Sequence, residues 1–498
     1  MTSDLKSKVV KGAFWLTLST WIVSSLGIVS TLILARILLP EDFGLIATAT
    51  IVTGFFDLFA KLGTMQYIVN KQDLVKEDIN TAWTIQLVSQ ILIASLVYLS
   101  SDYAALYFND ARLEFVLKAL ALIPLCIGLK NVGLVLLQKK LEFKRIVFIQ
   151  SGAKFLSFLA LVITAYLYQS YWAFVIGMLV QHFCISIFSY VISNHRPRLC
   201  LAKCQEQFSF SSWVLLKGFV NYAGNKADAF LISKYLSIDN VGYFNLGTRI
   251  ATIPNDYLLK PLDNVIYSGL AESLSEKELF FERCQKTLLF IFFLTIPICC
   301  LPLLSSTEIV TLFLGDAVKW STVVDLLPFL SFLILLLPVW SRLYDFITLI
   351  GEVKRVFFLD CVYATLSISA LVAAIYYGAG LLEIIWISLA VRFIFILYLM
   401  FVCHTLVNLN ITRIVIFVAP LVFSAIGSAW LVFYSHSFIE FDWDFIQLIA
   451  NSGVFVICYA LLTALVTLIL KNSNPDYLVL SDTVTALLRK AKLKSALY

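Results

Sequence analysis

The sequence is short of charge, of histidine and of long polar stretches, and each shortage closes off a class of protein. Asp, Glu, Lys and Arg together make up 14% of 498 residues, well below the quarter or so that solvates an ordinary globular domain. Only four histidines are present, and no clustered His, Cys and acidic set or nucleotide-binding glycine motif suggests chemistry or a cofactor. Cys200 and Cys204 lie near His195, but the spacing matches no zinc pattern and no second ligand pair follows, so they read as a loop. The other cysteines, such as Cys126, Cys184, Cys299, Cys300, Cys361 and Cys458, fall mostly within apolar runs, where a thiol behaves as a small hydrophobe. A net charge of +5 spread along the chain gives no reason to invoke nucleic acid.

What is present is apolar: 60% hydrophobic residues and a mean hydropathy of +0.89. Crossing about 30 Å of hydrocarbon takes roughly 20 apolar residues. Fourteen such spans are expected, near 12–39, 43–62, 81–100, 115–136, 146–168, 171–193, 213–235, 242–262, 287–305, 323–347, 356–378, 381–403, 413–434 and 445–470. Lys6, Lys8 and Lys11 precede a run too long for a signal peptide and without a small-residue cleavage site, so the run is read as the first span. Twenty-four of the 37 Lys and Arg fall in alternate loops and the ends on their side, against only Arg112 and Lys319 in the loops opposite. Because basic residues stay cytoplasmic, this asymmetry predicts both termini in the cytoplasm and an even number of spans.

An offset of 198 lays Leu34–Gly44 over Ile232–Gly242 and Trp15 over Trp213. A basic residue ends one span in both copies, acidic or Asn residues open the next, and a glycine follows where a tight corner is needed. Two parallel six-helix repeats imply a pseudo-two-fold axis along the membrane normal and a site between two lobes, as in a transporter. The expected fold is thus an all-α polytopic membrane protein: an N-lobe over 1–195, a C-lobe over 196–404, two further helices over 405–470, and a basic tail over 471–498.

A charge at the bilayer centre costs about 2.5–3.5 kcal/mol on insertion scales and usually faces a wet cavity or a partner. At 100° per residue, Lys217, Asn221, Asn225 and Asp228 share one face of the seventh span, with Lys226 almost opposite. Asn245, Arg249, Thr252 and Asp256 form a stripe on the eighth. The second offers Thr50, Thr53, Gly54, Asp57 and Lys61, the fifth Gln150, Lys154 and Ser157, and the first Thr17, Thr20, Ser24 and Thr31. These stripes predict one hydrophilic cavity in which Lys154, Lys217 and Arg249 meet an anionic head group, Asn221, Asn225 and Asn245 add polar contacts, and Asp57, Asp228 and Asp256 balance charge or couple transport. The competing reading is structural: Lys217, Lys61, Arg36 and Lys234 snorkel from helix ends, and Asp228 or Asp256 pairs with a nearby base. Arg342, Asp345 and Arg392 are left unassigned.

Three stretches carry a family resemblance: Ile33–Gly44, Leu136–Arg145 and Val241–Asn245. With these the chain resembles the polysaccharide biosynthesis flippases, which include O-antigen, colanic acid and other exopolysaccharide repeat-unit translocases, over most of residues 8–400. The resemblance implies the multidrug/oligosaccharidyl-lipid/polysaccharide exporter fold, alternating access and a bacterial inner membrane. It also implies a lipid-linked oligosaccharide on undecaprenyl pyrophosphate as substrate, membrane lipid around it, and a polysaccharide polymerase and chain-length machinery as partners. No binding residue transfers from these motifs. A drug/cation antiporter of the same superfamily, and a membrane-embedded glycan polymerase or ligase, are the alternatives. The second conflicts with outer loops too short to carry a catalytic set.

Overall fold

The structure is a computed structural model that describes residues 3–60, 68, 71, 73–139, 142–204, 212–436 and 443–470. The regular structure among them is all helical, with no strand, as lipid demands: a backbone group in hydrocarbon must be satisfied within its own segment. Among the described residues eleven helices are long and apolar enough to cross a bilayer, and a twelfth span results if one bent pair counts as one.

In the first compact unit, Met1–Leu246 with Phe357–Ser388, the helices are α1 (Ser3–Ile37), α2 (Pro40–Asp57), α3 (Lys76–Phe108), α4 (Arg112–Leu120), α5 (Leu122–Leu129), α6 (Gly133–Lys139), α7 (Phe143–Tyr168), α8 (Trp172–Ile192) and α9 (Ser212–Tyr235). The start of α10 (Ile238–Pro254) belongs here too. Acidic residues open α2 and α3 in the same way, the Asp42 carboxylate accepting the Leu39 N–H at 3.0 Å and Asp78 that of Val75 at 3.1 Å. Each satisfies an orphan donor and complements the helix dipole. The core lies among α2, α3 and α4, where Leu45, Ala49, Ile93, Val97, Leu113, Val116 and Leu117 are buried together.

The expected span 115–136 is broken into α4, α5 and α6, with a 59° bend between Arg112–Leu129 and Gly133–Lys139. Asn131 makes the break. Its side-chain oxygen accepts the Gly133 N–H at 2.8 Å and its amide donates to the His195 carbonyl at 2.7 Å, replacing the helical bonds that the bend removes. The expected Lys61 falls outside the described residues, as does the 471–498 tail.

The second unit, Gly247–Val356 with Leu389–Tyr498, holds the rest of α10, α11 (Lys260–Glu272), α12 (Lys277–Leu304), α13 (Ser306–Leu314), α14 (Ser321–Leu330), α15 (Leu333–Leu349), α18 (Ile411–His436) and α19 (Asp444–Leu470). The unit boundaries run through α10, α16 (Val353–Tyr376) and α17 (Leu381–Val407). Past Pro254 the eighth expected span does not stop at 262. A π-helical turn, Asn255–Leu259, carries it into α11; Pro254 has no N–H to give, and such turns absorb an extra residue without ending the helix. Polar residues clamp this unit internally. Gln285 and Asn410 exchange two hydrogen bonds, at 2.9 and 3.3 Å, and Asn451 donates to Ser305 and Glu308, each at 3.3 Å.

A close backbone approach in the first unit involves the glycines that the offset aligned. A Cβ added at Gly44 would run into the Ile238 carbonyl oxygen, and one at Gly242 into the Pro40 carbonyl oxygen, so α2 and α10 begin backbone against backbone. Below this contact Thr48 and Ser233 share a buried hydrogen bond at 2.8 Å. Tyr222 donates to the Ile51 carbonyl at 2.5 Å, over Gly54, where a Cβ would stand 2.8 Å from its hydroxyl. Gly44→Ala and Gly242→Ala are therefore each expected to destabilise the detergent-solubilised protein by about 1–3 kcal/mol, read as a lowered thermal midpoint. Gly269→Ala, which meets nothing within 4 Å, is expected to be neutral or to stabilise by up to about 1 kcal/mol.

Candidate functional site

The polar face predicted on the seventh span is built by α9. Asn221 and Asn225 are exposed and linked, the Asn225 amide donating to the Asn221 backbone carbonyl at 2.9 Å and to its side-chain oxygen at 3.2 Å. Lys217 on the same face is half-buried, whereas Asp228 is buried and its carboxylate accepts the Ala229 N–H at 2.8 Å. Asp57, half-buried, ends α2. Lys154 lies on α7 with its ammonium 3.5 Å from Gln181 of α8. Asn245 is exposed on the first part of α10. These seven residues belong to the first unit, and Arg249 and Asp256 to the second.

Arg249 is exposed on α10. Asp256 sits in the π turn and pairs with Lys260 at 2.6 Å, the arrangement that the structural reading foresaw. Several milder polar residues of the expected stripes are spent locally. Thr50 and Thr53 donate to the carbonyls of Ala47 and Ala49, at 2.7 and 3.1 Å, Thr31 to that of Gly27 at 2.9 Å, and Ser157 reaches Gly177 on α8 at 2.7 Å. Such back-bonding satisfies a hydroxyl in apolar surroundings without a ligand. Lys234 caps the Tyr107 carbonyl with its ammonium 4.1 Å above the ring centroid, an anchored helix end.

The loop with His195, Cys200 and Cys204 is stitched along the first turns of α3. The Cys200 N–H donates to Thr84 at 2.9 Å and its sulfur accepts from Thr81 at 3.6 Å. Burial, with Lys76 and Arg196 nearby, holds the His195 imidazole below its usual value, so it is neutral at pH 7.

Two features escaped the sequence reading. The first is an ion triad in the second unit: Arg342, with a side chain only 3% exposed, bridges Asp263 at 2.9 Å and Asp345 at 3.1 Å. The Arg342–Asp345 spacing of one helical turn was its visible signal; Asp263 arrives from α11 and was not. The second is an apolar cavity of about 780 Å³ on the opposite face of α9 from Asn221 and Asn225, walled by α2, α3, α9 and Ile368 of α16. Arg342→Met leaves two carboxylates without their base and is expected to lower unfolding stability by about 3 kcal/mol, measured by denaturant titration in detergent. Asp345→Asn, which keeps the Arg342–Asp263 pair, is expected to cost less.

The described residues form a helical bundle of many apolar, membrane-length helices with irregular turns inside it, and polar faces on α9 and α10. Over 91% of this chain and 98% of the other, the fold matches the lipid II flippase MurJ in an inward closed conformation, with a TM-score of 0.74 at 14% identity. An inward-facing multidrug resistance MATE family transporter matches 76% of the chain and 93% of its own length, with a TM-score of 0.57 at 14% identity. Residues 33–325 match the polysaccharide biosynthesis protein family, and the chain belongs to that family. Among its relatives, the lipopolysaccharide biosynthesis protein WzxC of Escherichia coli is 24% identical over 66% of this chain and 67% of its own. The teichuronic acid biosynthesis protein TuaB of Bacillus subtilis is 22% identical over 77% and 80%. The succinoglycan biosynthesis transport protein ExoT of Rhizobium meliloti is 24% identical over 56% and 57%.

Proposed function

We propose that the chain is a flippase that moves an undecaprenyl-pyrophosphate-linked oligosaccharide repeat unit from the cytoplasmic to the periplasmic leaflet for O-antigen, exopolysaccharide or capsule assembly. The observation that carries this reading is the exposed amide face of α9, Asn221 and Asn225 with Lys217 beside them, in a chain of this family. Amides and a lysine at membrane depth suit sugar hydroxyls and a diphosphate better than an apolar drug.

In this account the chain crosses the inner membrane fourteen times with both termini in the cytoplasm, in two six-helix lobes, 1–195 and 196–404, followed by two helices. Lys154, Lys217 and Arg249 attract the diphosphate. Asn221, Asn225 and Asn245 accept and donate to sugar hydroxyls, and Asp57 and Asp228 balance the charge. Asp256, already paired with Lys260, holds the π turn and takes a smaller part. The lobes rock about a fixed site to give alternating access. The repeat unit passes on to the polymerase and chain-length machinery.

The test is deletion of the gene in its host, with analysis of lipid-linked units and surface polymer. Wild type is expected to restore polymer and clear accumulated cytoplasmic-side units. Arg249→Ala and Lys154→Ala, at equal protein level, are expected to fail. Unchanged polymer and lipid-linked units in a strain with no second flippase would favour the antiporter, for which loss of an acidic residue matters more than loss of a basic one.

A further inference from the structure

The apolar cavity of the first unit is framed by three helix faces whose periodicity is that of packed seams. On α9 its wall is Phe219, Tyr222, Ala223, Lys226, Ala227, Phe230 and Leu231; on α3 it includes Ser100, Tyr103, Ala104 and Tyr107. Both follow the i, i+3, i+4, i+7 pattern by which a helix buries one face against another, yet here the faces stand apart around about 780 Å³. Aromatic contacts close the two ends, Phe55 on Phe219 at 5.8 Å and Tyr107 on Phe230 at 6.0 Å. From Phe219 to Leu231 the slot runs roughly 18 Å along α9 at 1.5 Å per residue. That is the shape of a slot for an extended chain.

One wall residue does not fit an apolar slot. Lys226 is exposed to it, and among the described residues no carboxylate, carbonyl or ring partners its ammonium. An intramembrane base without a partner points to an anionic ligand. We propose that this slot holds the phosphate-proximal part of the polyprenyl chain of a lipid phosphate, with Lys226 on the phosphate. The assignment rests on the flippase reading and names where that cargo's lipid lies. Depth selects cargo over a resident phospholipid. Lys226 is nine residues, roughly 14 Å, from the Tyr235 end of α9 and roughly 21 Å from its Ser212 end, whereas a resident lipid keeps its phosphate at the interface. A phosphate on Lys226 is therefore one in transit, at a station on the opposite face of α9 from Lys217 that is occupied at a different point of the cycle from the Lys154, Lys217 and Arg249 site.

The experiment uses the full chain in nanodiscs with undecaprenyl phosphate carrying a benzophenone on the isoprene units next to the phosphate, photolysed and mapped by mass spectrometry. Label is expected on α2, α3 and α9 residues of the slot. Lys226→Gln is expected to lower labelling affinity about tenfold, the worth of one charge-assisted hydrogen bond, and Lys226→Arg to preserve it. Ala227→Phe, which fills the slot while leaving Lys226 in place, is expected to abolish label, with an unchanged thermal midpoint as the folding control. Excess undecaprenyl phosphate is expected to compete and phosphatidylglycerol to fail. Label outside the slot, competition by phosphatidylglycerol, or equal affinity of Lys226→Gln each overturns the assignment. Binding is read on purified protein, so it is distinguishable from the flippase reading, which the deletion strain tests by export alone.

Discussion

The contact on which the first unit depends is made by two residues that have no side chain. Gly44 and Gly242 let the starts of α2 and α10 meet carbonyl to Cα, a closeness that no other residue permits. Once these ends touch, α2 must descend beside α9, and the sequence supplies what that path needs: Thr48 opposite Ser233, and Gly54 beneath Tyr222. The path of α9 then sets its two faces, one with Asn221 and Asn225, the other toward the apolar cavity. Packed surfaces of this sort switch between discrete arrangements and do not deform smoothly, which suits a carrier that must open and close.

Charge is handled in two ways. Arg112 binds both Asp110 at 2.8 Å and Glu41 at 3.0 Å, Lys71 binds the buried Asp78 at 2.8 Å, and Arg342 takes two carboxylates. Each of these bases is neutralised by a carboxylate at contact distance, Arg342 within the protein interior and Arg112 and Lys71 nearer its surface. Lys226 and the α9 amides have no carboxylate set against them among the described residues, and their cost in lipid is offset in the flippase account only when cargo arrives.

Apolar runs made most helices legible, because lipid imposes the same length on every span. The breaks were harder. Asn131 reads in a sequence as one polar residue within an apolar run; that it trades bonds with Gly133 and His195 depends on a loop 64 residues away. The π turn after Pro254 was likewise hidden, since a proline marks a weak point without saying whether the helix ends or swells. Of the expected site residues, the α9 set shares one helix and its common face follows from periodicity. Lys154, Arg249 and Asp256 lie on other helices, and their neighbours, Gln181 and Lys260 among them, were fixed by packing. Lys226 was placed opposite the polar face from the sequence, but the emptiness it faces is a property of three helices and of no single one.

The most direct test is transport by the purified chain alone. Liposomes carrying it and a fluorescent undecaprenyl-pyrophosphate oligosaccharide would be treated with an impermeant quencher that reaches only the outer leaflet. The account predicts that the protected fraction becomes accessible far faster than in protein-free liposomes, while a fluorescent phosphatidylglycerol stays protected. A lipid-linked oligosaccharide that remains as protected as in protein-free liposomes, with the chain folded and inserted, would contradict it.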